Sequence, residues 1–421
     1  MKVLVLGSGG REAAIVKALK ESELRPELFA LPGNGGIKEV ATLIPGSVTD
    51  IPYVVQKAKE IKADYVVVTP DDPLSLGAVD ELKKVGIPCF GPNKAAARIE
   101  SSKAFAKDLM KKYHIPTADY EVFTEVDKAL LYLQDKSFPI VIKADGLALG
   151  KGVIIAQDKA EAEEAVLLMM SGKKFGKSGE RIVIEEFLTG PEVTVLSFCD
   201  GKTLVPMISS MDHKRAKDGD EGLNTGGMGC IAPNPYYTPE VAKVCMDTIF
   251  RPTVDAMIAE GCPFTGCLYF GLMLTPNGPK VIEYNSRFGD PETQTILPLL
   301  ESDLLKIMMA TTDGTLSRDM VKFSNDSSCS IALTSSGYPE SYKKGFKITI
   351  KPNKLASIYI AGAKEEDGSL VTSGGRVINV VATAPKLKEA IKKAYTALGE
   401  KIVTFEGMSY RHDIGKKALE I

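Results

Sequence analysis

The chain has 421 residues, 44% of them hydrophobic and 25% charged, with 52 Lys and Arg against 54 Asp and Glu. That length fits about two to four globular domains, whose cores need no disulfide or metal staple. A net charge of −2 excludes a dedicated nucleic-acid coat or a polybasic membrane binder, but not a local basic pocket.

The scarce residues narrow the chemistry. The three histidines, His114, His213 and His412, are far apart in sequence, which argues against a His-rich zinc site. The seven cysteines form no C-x-x-C and sit mostly in apolar runs. They read as reduced core residues of a cytosolic protein rather than a catalytic thiol. The apolar start before Gly7 is too short for a signal h-region, and no run of 18 apolar residues exists. A soluble, cytoplasmic protein without membrane or nucleic-acid partners is expected.

The first hundred residues alternate strand and helix. Strands are predicted at Val3–Leu6, Leu28–Leu31, Tyr65–Val68 and Cys89-Phe90, and helices after Gly10, over Ile51–Ile61 and over Leu76–Val85. This spacing implies right-handed crossovers and a parallel α/β sheet. The strands end in Gly- or Pro-rich turns, where ligands collect in open α/β sheets. The first turn, Gly7-Ser-Gly9-Gly10-Arg11-Glu12, has Glu12 where a dinucleotide fingerprint needs glycine. It suits a phosphate of another ligand at a helix N-terminus, or no ligand at all.

Ser101 is the expected N-cap of a helix running through Tyr113. Lys103 then falls in its first turn, where a cation is unfavourable unless an anion approaches or water solvates it. Pro139–Ala144 and Val153–Ala156 read as strands around a glycine-rich loop carrying Lys151. Lys143 lies inside the first strand, so it needs an acidic neighbour or an anionic ligand. Together they suggest a lid over a polyphosphate. A helix follows at about Glu161–Met170, then a strand over Arg181–Leu188. Its end offers backbone groups to a base, with Phe187 and Leu188 over the ring and Glu192 placed for ribose hydroxyls.

A turn-rich stretch follows, with Asp212-His-Lys214-Arg215, Asp218–Glu221 and Asn224-Thr225-Gly226-Gly-Met-Gly229. Such a stretch inside a compact domain suggests a binding loop. Cys267–Thr275 and Lys280–Asn285 read as a hairpin. Glu283 and Asn285 are two apart, so both side chains leave one strand face. Two oxygen donors with room for water and phosphate suit magnesium rather than zinc; a polar strand face in solvent is the other reading. The last unit has predicted strands at Ser330–Leu333, Phe346–Ile350, Ala356–Ile360 and Val377–Ala382, and a helix over about Lys386–Lys401.

These motifs together resemble the glycinamide ribonucleotide synthetase family of the ATP-grasp superfamily, over essentially the whole chain. The most specific is Arg287-Phe-Gly-Asp290-Pro-Glu292. It is joined by Lys143-Ala-Asp-Gly, Gly150-Lys151-Gly152, Asp212–Arg215, Asn224–Gly229, Pro32-Gly33-Asn34, Ser336–Pro339, Thr372–Arg376 and Arg411–Gly415. Three places depart from the family pattern: Ala13, Thr69–Asp72 and Ile360–Ala363.

The resemblance implies a mixed α/β and α+β architecture. A Rossmann-like domain would span 1–100, an ATP-grasp core 101–325 with a lid at about 118–187, and a small mixed domain 326–421. It implies ligation of glycine to 5-phosphoribosylamine with ATP and Mg²⁺ or Mn²⁺, in purine synthesis, by a monomer. Lys103, Lys143 and Lys151 would hold ATP phosphates, Glu185, Phe187 and Leu188 adenine, and Glu192 the ribose. Glu283 and Asn285 would hold the metal. Asp212, Arg287 and Asp290 would act on the substrates. Gly9, Gly10, Arg11, Glu12, Pro32, Gly33, Asn34, Lys214, Asn224, Thr225 and Gly226 would bind them. The expected route is a glycyl phosphate, with Arg287 on the oxyanion and Asp290 orienting the amine. A different carboxylate–amine pair, a nicotinamide oxidoreductase and a silent nucleotide binder are the other readings.

Overall fold

The computed structural model describes residues 1–147, 152–171, 176 and 178–420. Five parallel strands open the chain, in the order Thr42–Leu43, Glu27–Pro32, Lys2–Gly7, Tyr65–Val68, Cys89–Phe90. The central strand Lys2–Gly7 is apolar on both faces, as a doubly covered parallel strand must be. Val3 and Val5 pack with Ile15 and Leu19 of helix Gly10–Lys20. Leu4 and Leu6 pack with Val54 and Ala58 of helix Ile51–Glu60 on the other side.

The single helix expected over Leu76–Val85 is two, Asp71–Leu76 and Ala78–Lys84. Gly77 separates them at φ +92°, a conformation only glycine adopts without cost. The expected N-cap Ser101 is also corrected. It ends a helix, Lys94–Ser101, that periodicity did not reveal. Ser102 caps the next one, Lys103–Lys112, its Oγ accepting from Phe105 N at 3.1 Å. Adjacent serines offer the same capping chemistry, and only the extended backbone of Ser102 decides between them.

The middle of the chain builds two antiparallel sheets. One has the order Leu204–Pro206, Glu192–Asp200, Thr265–Thr275, Gly278–Asn285. Its face, with Val193, Val195, Leu268 and Phe270, packs on helices Lys103–Lys112 and Arg251–Ala259. The other has the order Tyr120–Phe123, Ile182–Glu186, Ile140–Ala144, Val153–Ala156. It has its own core with helices Val126–Tyr132 and Lys159–Met170, built on Ala129, Val166 and Met169. This is the unit expected to form a lid.

The last sheet has the order Met211–Asp212, Gly229–Ala232, Ser327–Ser335, Arg376–Ala384, Ser357–Ile360, with Met408–Ser409 paired to Ser327–Ser335. Helix Leu387–Gly399 covers it through Ile391, Ala394 and Leu398. Its first two strands come from the middle of the chain, so this sheet ties residues 211–232 to the C-terminal part. The strand expected over Phe346–Ile350 shrinks to Thr349–Ile350, and a hairpin, Ala363–Glu366 with Ser369–Thr372, was not foreseen. All seven cysteines are free and buried, as expected. Among the described residues, no helix is long and apolar enough to cross a membrane.

Candidate active site

A cavity of about 1120 Å³ lies where the two middle sheets meet the Asp212–Gly226 loop and the Arg287–Glu292 segment. A second, of about 410 Å³, lies between the first turn and the C-terminal sheet. Asp290 and Arg376 line both.

At one end of the large cavity the two possible partners for Lys143 resolve into an acid. Val141 pairs with Glu185, so Lys143 and Glu185 are diagonal neighbours on one face. Lys143 Nζ lies 2.8 Å from Glu185 Oε1 and donates to Ile282 O at 3.1 Å. Lys107 Nζ lies 2.8 Å from Glu185 Oε2 and donates to Thr117 Oγ1 at 2.8 Å. Burial works against the Glu185 charge, but the two ammonium groups hold its carboxyl below the usual range. Burial lowers Lys107 to about 8, against the pull of Glu185. Lys103, at the head of its helix, donates to Gly146 O at 3.0 Å, and burial lowers it too. Phe187, Leu188 and Glu192 line the same cavity.

Glu283 and Asn285 both face the cavity from strand Gly278–Asn285. Glu283 Oε1 lies 3.3 Å from Lys214 Nζ, which is 3.5 Å from Glu192 Oε2. Lys214, then Lys143 and Lys103, overcome burial and lower Glu283 to about 2. An ionised carboxylate beside an amide oxygen is a hard-cation donor pair. No cluster of three or more His, Cys, Asp or Glu able to hold a metal occurs among the described residues. A cation held by this pair would need further oxygen donors from water or a ligand.

Arg287 Nη2 lies 2.9 Å from Glu100 Oε1. The other Glu100 oxygen accepts from Ser286 N and Ser286 Oγ, both at 2.8 Å. Arg287 Nε is buried without a partner, and so is Asp212 Oδ1. Burial, then the charge of Glu292, pushes the Asp212 carboxyl well up; burial also raises Glu292. Two such carboxyls near one another share protons rather than both ionising. Asp290 is different. Its carboxylate accepts from Arg11 N at 3.3 Å and Gln294 Nε2 at 2.8 Å, and lies 3.3 Å from Arg376 Nη1. Burial opposes its charge, yet Arg376 and Arg11 hold it below the usual range.

The first turn is occupied by the protein's own carboxylates. Glu12 accepts from Gly9 N at 2.6 Å and from Arg11 Nε at 2.6 Å, the half of a capping box that a glycine N-cap allows. Asp290 takes the N–H of Arg11. The helix N-terminus that suited a phosphate is thus largely neutralised from within. Asn34 donates to Ser8 O and Ile360 O at 2.8 Å each, and accepts from Gly36 N and Ile37 N. Gly9, Gly10, Gly33 and Asn34 still line the small cavity.

Comparison with known proteins agrees with this geometry. Residues 1–100, 101–293 and 328–417 match, in turn, the N domain, the ATP-grasp (A) domain and the C domain of phosphoribosylglycinamide synthetase. The chain belongs to the phosphoribosylglycinamide synthetase family. It is 46% identical to the phosphoribosylamine–glycine ligase of Haemophilus influenzae over 426 residues, covering 100% of this chain and 99% of that one. The crystal structure of the Thermotoga maritima phosphoribosylamine–glycine ligase superposes with a TM-score of 0.86 at 36% identity, over 98% of this chain and 100% of that one. A biotin carboxylase domain from Hydrogenobacter thermophilus, solved with MgADP, shares the fold alone: TM-score 0.75, 16% identity, 97% and 91% coverage.

Within this synthetase fold, the large cavity gathers Arg11, Lys103, Lys143, Glu185, Phe187, Leu188, Glu192, Asp212, Lys214, Asn224, Thr225, Gly226, Glu283, Asn285, Arg287 and Asp290. Glu12 and Pro32 line neither cavity. Lys151 lies outside the described residues. Of the departures from the family pattern, Ala13 packs on the first core, Asp71 faces the large cavity and Ala361–Ala363 line the small one. Sequence reading missed Glu100, Lys107, Tyr269, Glu292 and Arg376 as site groups. Lys107 carried a signal, standing four residues after Lys103 on one helix face. Glu100 carried none, because a carboxylate ending a helix is ordinary until its partner is known.

Proposed function

We propose that the large cavity carries out the family's reaction, the ATP-dependent ligation of glycine to 5-phosphoribosylamine in purine biosynthesis. One observation carries this reading. Lys103, Lys143 and Lys214 bring positive charge to the cavity that also holds the ionised Glu283, Asn285 and an Arg287 Nε without a partner. Such a set receives a polyphosphate and a carboxylate together. Phe187, Leu188 and Glu185 take the base, Glu192 the ribose, and Lys103 and Lys143 the phosphates.

The glycine carboxylate attacks the γ-phosphorus, and the bond from that phosphorus to the ADP oxygen breaks. Glycyl phosphate forms. The ribosylamine nitrogen then adds to the acyl carbon, and the carbon–oxygen bond to phosphate breaks. Arg287 steadies the developing oxyanion. The nitrogen sheds a proton, which the Asp212–Glu292 carboxyl pair accepts, since the two share protons and keep one negative charge between them. Asp290 is already held by Arg11, Gln294 and Arg376, so it positions the signature segment rather than the amine. Mg²⁺, held by Glu283 and Asn285, neutralises phosphate charge when bound; Mn²⁺ satisfies the same oxygen donors. The small cavity takes the sugar-phosphate end on the side of Arg376 and Lys364, with Gly9 and Gly10 shaping its wall rather than donating to the phosphate.

The units 1–100, 101–325 and 326–421, with a lid at about 118–187, act as one cytoplasmic monomer in this reading. The test is ADP release with each substrate omitted in turn. Release that needs both glycine and fresh phosphoribosylamine is expected. Release with other amine acceptors alone sinks the assignment.

A further inference from the structure

The motif Arg411–Gly415 is far from the reaction in sequence, and the proposed chemistry leaves it without a role. In the fold it meets the loop that roofs the large cavity. Strands Arg215–Lys217 and Glu221–Asn224 form an isolated two-stranded hairpin. Such a hairpin is marginal alone and needs outside ties to hold one position. Gly219 and Asp220 at its tip have φ of +74° and +58°, and Asp220 faces the cavity.

The ties go to the C-terminal segment. Arg411 is 2% exposed. Its Nη1 lies 2.8 Å from Asp220 Oδ1 and donates to Arg215 O at 3.1 Å. Asp413 holds the guanidinium in place, with Nε to Oδ1 at 2.8 Å and Nη2 to Oδ2 at 2.9 Å. Asp413 Oδ2 also accepts from Gly219 N at 2.7 Å. Lower down, Gly415 N donates to His213 Nε2 at 3.0 Å, while His213 Nδ1 lies 3.3 Å from Gly229 O. Outer pairs, His412 with Asp218 and Lys417 with Asp220, are solvent-exposed on one or both sides. Exposed pairs contribute little, so the buried guanidinium carries the tie.

The hairpin leads directly back to chemistry. Thr225 N donates to Lys214 O at 2.8 Å, and Lys214 Nζ reaches Glu283 and Glu192. We propose that Arg411 is a positioning residue for the ligation, clamping the 215–224 hairpin so that Asp212, Lys214 and Asn224 stand correctly around the second-half substrates. It touches no substrate. It acts on glycine and the amine through Asp212 and Asn224, and more weakly on the nucleotide through Lys214, which pairs with Glu283 and Glu192. The inference rests on the function proposed above.

The test uses the full chain with Asp220→Asn, Arg411→Gln and the double variant. KM for glycine or phosphoribosylamine is expected to rise about tenfold in each single variant, with a smaller loss of MgADP affinity passed on through Lys214. The double variant is expected to be no worse than Arg411→Gln, since both break one tie. Arg411→Lys keeps a charge and recovers part of the loss. Amide hydrogen exchange across 215–226 is read in parallel and is expected to quicken about tenfold in Asp220→Asn. Unchanged KM values and unchanged exchange in Asp220→Asn overturn the clamp, even if Arg411→Gln does not fold. A parent enzyme that releases no ADP with glycine and amine overturns the proposed function instead, and the exchange result still decides the clamp.

Discussion

Arg287 Nη2 and Glu100 Oε1 stand 2.9 Å apart, although 100 lies in the last turn of a helix and 287 belongs to the signature segment. Glu100 also holds Ser286 through two bonds, so one carboxylate fixes both the arginine and its backbone. Breaking such a pair leaves a charge inside protein, at a cost of about 3 kcal/mol. Glu100→Gln is therefore expected to lower kcat by about a hundredfold and to lower the denaturant midpoint as well. Turnover at saturating substrates beside urea unfolding checks both.

Glu283→Gln removes the charge that prepares the cation site. ATP turnover is expected to vanish while circular dichroism keeps its parent form. Parent-level activity in this variant removes the metal assignment. Because neighbouring lysines hold Glu283 at about 2, the acid limb of the parent's activity is not expected to titrate this group above pH 4.

Lys107 titrates at about 8 because burial disfavours its charge. Above that pH, Glu185 loses one of its two counter-ions. ATP affinity is expected to weaken on the alkaline side with an apparent pKa near 8, and Lys107→Met is expected to remove that limb. For stability the sign is opposite. The unfolded lysine holds its proton up to 10.5, so between pH 8 and 10.5 the unfolded chain binds more protons, and this group's contribution to stability rises with pH. ATP affinity and urea midpoints across pH 7–10 separate the two effects.

His213 sits at about 4, lowered by burial and then by Arg411. Its unfolded value is 6.5, so the unfolded chain takes up the proton first as pH falls. Stability from this group is complete above pH 6.5 and drains away down to about pH 4, by about 3 kcal/mol in all. His213→Gln is expected to flatten that slope in urea titrations between pH 4 and 7.

A Cβ on Gly10 would lie 2.4 Å from Gln294 Nε2 and 3.0 Å from Asn379 Oδ1. Gly10→Ala must displace the Gln294 amide, which donates to Asp290 at 2.8 Å, at about 1–3 kcal/mol. Activity is expected to fall at least tenfold, with a lower thermal midpoint; an unchanged kcat shows that the Gln294–Asp290 bond is not needed for turnover.

Much of this was legible without coordinates. The apolar runs of Val3–Leu6 and Tyr65–Val68 announced a buried parallel sheet, because strands covered on both faces carry no polar alternation. The i, i+2 spacing of Glu283 and Asn285 set both donors on one strand face. Lys143 in an apolar strand demanded a counter-charge, and one exists. Helix ends were less legible. Ser101 and Ser102 are chemically alike, and Gly77 breaks a helix only because the backbone there turns left-handed.

The sequence by itself determined the inventory: local elements, the donor pair, the lysines and the family. Tertiary structure alone decided how charges are matched. Asp290 reaches the N–H of Arg11 across 279 residues, and Glu12 closes the same helix end, so a turn that looked ready for phosphate is already satisfied. Glu185 answers Lys143, Glu100 answers Arg287, and Arg411 answers Asp220. A buried charge must find its partner within a few ångströms, and that distance is set by packing between elements rather than by spacing along the chain.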